Sequence, residues 1–137
     1  MEKDKLECVG VEVMNDFFTK YHLSNGQVVH KFSRADAGDP HDHPWSFTSE
    51  ILYGGYKEKV YHPSGYKITY RQLHEGNLNR VEATTIHLIT ELLREECWTL
   101  VTPEPATQKS GFYQFRLDGV YHRYWDEEAF TQVFKHK

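Results

Sequence analysis

The residues with the clearest chemical potential in this chain are His41 and His43. They stand two positions apart in Pro40-His41-Asp42-His43-Pro44-Trp45, at the mouth of a strand-like run that continues to Tyr56. On an extended segment, residues i and i+2 point to the same face, so both imidazoles can converge on one point. Neutral imidazole is a common protein ligand for zinc, iron, nickel and copper. Two ligands do not complete a site, so the rest of the chain has to supply a third.

The 137 residues suit one domain with a single core. Aromatic residues make up 15% of the chain, and Gly and Pro are scattered, which fits an all-β domain with many turns. The net charge of −4 and the lack of a Lys/Arg cluster argue against nucleic-acid binding, which needs a basic face. No apolar run is long enough for a membrane span, and no apolar segment follows Met1-Glu-Lys-Asp-Lys as a signal peptide would require. A cytoplasmic location is therefore expected, with Cys8 and Cys97 as reduced thiols.

About nine short strands must position the histidines. Phe17 to Leu23 and Gln27 to Phe32 flank Asn25-Gly26, a strong hairpin signal. Val9, Val11 and Val13 alternate as a short edge strand would. Further strands are read at Ser46 to Tyr53, Tyr56 to His62, Tyr66 to Arg71, Thr84 to Thr90, Cys97 to Thr102, Gly111 to Leu117 and Val120 to Trp125. The link from Glu91 to Glu96 is read as charged and irregular. The core is expected to span 17–125. Asp126 reads as the N-cap of a short terminal helix over 126–137, with Phe130, Val133 and Phe134 on one face.

The spacing of several residues resembles the paired motifs of the cupins, small double-sheet β-barrel proteins. His41-Asp42-His43, four residues, Thr48, six residues and Gly55 follow the first motif from its histidines onward. Gly76, five residues, Glu82-Ala83-Thr84, two residues and His87 follow the second. Thr48 stands where the motif usually has a Glu ligand, and Glu82, Thr84 and Glu91 replace its Pro, Gly and Asn. The resemblance covers roughly 28–101 and implies an antiparallel jelly-roll barrel. It also implies a mononuclear metal held by His41, His43 and His87, and a possible homodimer.

The His-Asp-His-Pro-Trp, Gly-Gly-Tyr-x-Glu and Cys-Trp-Thr-Leu elements are similar to those of small bacterial and phage cupins of unassigned function. The His-Asp-His start and the placement of Gly55 also resemble thiol dioxygenases. That likeness favours Fe(II), with Zn(II), Ni(II) or Mn(II) as alternatives, and O2-dependent oxidation of a small, anionic molecule. A metal-dependent sugar isomerase or epimerase, or a non-catalytic binding cupin, are the competing functions.

Around the histidines, Glu50 shares a face with Thr48 and reads either as a general acid/base or distant ligand, or as a solvated carboxylate. Glu58, near Tyr56, has the same two readings, with a tilt towards the pocket. Arg34 can anchor a substrate carboxylate or pin its own loop. Thr48 and Tyr56 are expected near the pocket. His30 and His122 are read as hydrogen-bonded strand histidines, not as ligands.

Overall fold

The computed structural model describes residues 6–36 and 38–137, and every regular element among them is a β-strand. In chain order these are β1 (Cys8–Asn15), β2 (Phe18–Leu23), β3 (Val28–Phe32), β4 (Phe47–Tyr53), β5 (Gly55–Tyr61) and β6 (Ile68–His74). There follow β7 (Leu78–Val81), β8 (Ile86–Leu92), β9 (Cys97–Pro103), β10 (Gly111–Arg116), β11 (Gly119–Tyr124) and β12 (Thr131–Lys135).

One antiparallel sheet holds six strands in the order β1-β2-β3-β9-β4-β7. The three-stranded sheet β6-β5-β8 faces it across the core, and β10-β11-β12 forms a second three-stranded sheet. Residues 40–42 join these two smaller sheets. His41 exchanges two backbone hydrogen bonds of 3.0 Å with His87 on β8, while Pro40 and Asp42 bond to Tyr113 and Gly111 on β10. A candidate ligand thus doubles as a one-residue strand.

The sheets are held together by their inner faces. Phe32, Ile51 and Cys97 from the larger sheet pack against Tyr56, Leu73 and Ile89 from the smaller one. At about 1.5–3 kcal/mol for each fully buried large apolar side chain, this cluster is enough to hold the layers face to face. Gly54 and Gly55 turn the chain from one sheet to the other with φ of +85° and +114°. A Cβ on either would collide with a backbone carbonyl, Glu96 in one case and Leu73 in the other. Only glycine fits that corner.

Two expectations are corrected. The sheets are not closed into a barrel, since β1 and β7 end the larger sheet as edges. The terminal helix is not formed either: Thr131–Lys135 is a strand paired with β11, from Gly119↔Lys135 to His122↔Thr131. The helical spacing of Phe130, Val133 and Phe134 is overridden by the edge that β11 offers, where Phe134 meets Tyr66 and His136. β7 was not anticipated, and β8 runs into the supposed link as far as Leu92.

Candidate metal centre

His41, His43 and His87 each present one ring nitrogen, and these atoms lie within 4.8 Å of one another. Their convergence follows from backbone pairing. Residues opposite one another in an antiparallel ladder project to the same side, so the His41↔His87 pair sends both rings inward. His43, two residues on, returns to that side and is stacked on Trp45, with its ring edge-on to Phe47. Asp42, between them, turns to β10 while still bordering the cavity between the sheets. It accepts hydrogen bonds from the Gly111 N–H at 2.7 Å and the Tyr113 hydroxyl at 3.0 Å, clamping the segment to β10.

His87 is 5% exposed, and its Nδ1 lies 2.6 Å from Oε1 of Glu58, which is 2% exposed. A carboxylate there accepts, so Nδ1 carries the proton and Nε2 keeps its lone pair. That Nε2 is buried without a partner among the described residues, as is Nδ1 of His43. His41 places Nδ1 at 3.3 Å from the Asp39 carbonyl, an acceptor, and so also frees its other nitrogen. Burial holds His43 well below the ordinary imidazole range, and holds His41 below it as well; the nearby His87 adds to both effects.

An unsatisfied buried polar atom costs about 1–3 kcal/mol, and here two bare nitrogens lie beside a third imidazole. Metal–imidazole bonds are about 2.0–2.1 Å, so ring movements of under about 1 Å would bring all three onto one ion. The donor set therefore fits a metal. It includes no carboxylate among the described residues.

Behind His87 lies a buried polar network. Asn79 Nδ2 donates to Glu58 Oε2 at 3.3 Å and to the Tyr56 hydroxyl at 3.0 Å, while Arg71 donates to Asn79 Oδ1 at 2.8 Å. Burial, with the Glu58 charge beside it, pushes the Tyr56 phenol up. Glu58 thus orients His87 instead of facing the pocket, an arrangement in which an outer carboxylate fixes a ligand's tautomer.

The histidines open into a cavity of about 600 Å³ between the sheets, walled by Phe18, Phe32, Phe47, Tyr56, Phe112 and others. Thr48 and Glu50 do share a face, but it is the outer one: Phe47, Ser49 and Ile51 are the buried positions of β4, and Ser49 lines the cavity. Arg34 lies outside the cavity wall, with its guanidinium 4.2 Å over the Phe17 ring. His30, read from sequence as a satisfied strand histidine, faces the cavity, as does Lys20.

No protein-family model matches the chain, and no curated protein matches it in sequence. Solved structures do. The cupin domain of Drosophila melanogaster CENP-C superposes with a TM-score of 0.55 at 8% identity, covering 67% of this chain and 73% of that one. The fold is that of the cupins. KdgF from Halomonas sp. is similar at TM-score 0.51 and 15% identity, over 70% of this chain and 88% of its own. Fe(II)-HppE with an alternative substrate gives 0.51 and 14%, over 73% and 55%. At such identities the likeness is one of fold.

Proposed function

We propose that this protein is a mononuclear metalloenzyme in which His41, His43 and His87 hold one divalent ion, Fe(II) ahead of Zn(II), Ni(II) or Mn(II), and that it oxidises a small anionic molecule with O2. The observation that carries this reading is the pair of bare, buried nitrogens on His43 and His87, the latter oriented by Glu58. Any of these ions would supply a Lewis acid there, and Fe(II) would add the redox chemistry that O2 oxidation needs. Three neutral ligands leave the ion's charge uncompensated, which favours an anionic substrate. Iron is supported by the Fe(II)-HppE neighbour and by the motif likeness to thiol dioxygenases.

The chain's own residues bind, orient and exclude water. Glu58 and Asn79 keep the proton on Nδ1 of His87, and Asp42 holds the His41–His43 segment against β10. The aromatic walls keep bulk water from a reacting molecule. Oxidation leads over sugar isomerisation because the two carboxylates expected to move a proton are committed elsewhere: Glu50 to the outer face, Glu58 to His87. A homodimer belongs to the same reading, supported by the row Val11, Tyr21, Val29, Leu100, Glu50 and Leu78 across the outer face of the larger sheet, apolar but for Glu50.

The test is an oxygen electrode on Fe(II)-loaded protein with a panel of small thiols, 2-oxo acids and enediols. Turnover that is lost in His43→Ala is expected. Silence across that panel, with proton exchange on sugar substrates, would hand the function to the isomerase; silence on both would leave a binding protein.

A further inference from the structure

The cavity has a second polar end, on the sheet opposite His41 and His87. Lys20 on β2 and His30 on β3 are directly paired across the ladder, so both side chains project to the same inner face. Both line the cavity. Among the described residues that line it, Lys20 is the one Lys or Arg. Lys20 is half-buried, and its ammonium lies 5.7 Å from the centre of the Phe18 ring and forms no ion pair within 4.0 Å among the described residues.

The acidic residues of the cavity wall are already engaged. Asp36 accepts from the Ile89 N–H at 2.8 Å, Asp42 from Gly111 and Tyr113, and Asp39 from Gln114 at 3.4 Å. Their donors are all neutral, so these carboxylates keep their charge, but none lies within 4.0 Å of the Lys20 ammonium. His30 makes no side-chain hydrogen bond to the described residues and is bounded by Phe18 at 5.0 Å and Phe32 at 6.0 Å. Burial, aided by the Lys20 charge, holds His30 down to about 3, so its ring is neutral and offers one N–H donor. A cation and a neutral donor side by side over aromatic rings form a receptor for a carboxylate. A charge-assisted hydrogen bond there is worth about twice a neutral one.

We propose that Lys20 and His30 form a carboxylate-binding pole, so that the ligand is a small organic acid carrying a second donor group at its other end. The acid group lies against Lys20 and His30, the carbon skeleton crosses the ring-lined middle, and the second donor reaches the three histidines. The far end of this ligand rests on the metal reading; the pole itself does not.

The competing account is that Lys20 only answers Glu12, its cross-strand neighbour on β1, which also bonds His22. Two arms separate these. In the first, Co(II)-loaded protein is titrated with mercaptopropionate and with mercaptoethanol while the visible spectrum is followed. Both bring a thiol, but only one brings a carboxylate. The proposal expects mercaptopropionate to bind at least about tenfold more tightly, and Lys20→Gln to erase the difference while leaving mercaptoethanol binding unchanged. In the second arm, metal-free protein is titrated with butyrate and butanol while the His30 ring resonances are followed by NMR. Butyrate alone should shift them, and not in Lys20→Gln. Failure of Co(II) to bind, with the butyrate response intact, would sink the metal reading and keep the pole. Equal thiol affinities with no butyrate response would overturn the pole and leave the metal reading standing.

Discussion

Metal binding at this site depends on which nitrogen of each imidazole is free. Glu58 decides this for His87, and Glu58→Gln should lower metal affinity about 10–100-fold while the fold persists, as isothermal titration with Zn(II) would show. Unchanged affinity would mean that the 2.6 Å contact is only structural. His30 gives a pH signature. Unfolded, it takes its proton near the ordinary value of about 6.5, but folded only at about 3, so between these limits the unfolded chain binds more protons. Stability should therefore fall as pH drops below about 6.5, by up to about 1.4 kcal/mol per pH unit. Urea melts of metal-free His30→Gln should show a shallower fall than the parent; an identical slope would count against a buried neutral His30. His41 and His43 were legible because a two-residue period needs no tertiary information, and His87 because motif spacing supplied it. Lys20 and His30 were not, since nothing in the alternation of β2 and β3 says which face turns inward.

The strands preform the site. Residues 40–42 span two sheets, and Asp42 is their one side-chain clamp to β10, accepting from both Gly111 and Tyr113. Replacing Asp42 by Ala strands a buried N–H and should cost about 1–3 kcal/mol, with a matching loss of metal affinity as the histidine segment loosens. Denaturant midpoints and metal titration of the same variant would test this; lost stability with intact affinity would show that the segment is held by its backbone alone. The β2–β3 hairpin was readable from Asn25-Gly26, as was the Gly54-Gly55 corner. β12 was misread because Phe130, Val133 and Phe134 satisfy a helical period, and only the open edge of β11 makes the strand preferable. Glu50 kept two readings in the sequence for a related reason: a one-residue change in which face is inner moves every side chain of β4 across the sheet.

For the whole molecule, the apolar cluster between the facing sheets should let the chain fold without an ion. Chelated protein should keep its near-UV ellipticity and unfold cooperatively at a lower temperature, by an amount set by metal affinity and concentration. Loss of tertiary signal on chelation would instead mark a structural metal. The central claim, that His41, His43 and His87 hold one ion, is tested most directly by elemental analysis of protein purified without added metal, alongside His87→Ala and His30→Ala. The account predicts about one ion per chain in the parent and in His30→Ala, and a small fraction of that in His87→Ala. Full metal content in His87→Ala would contradict it.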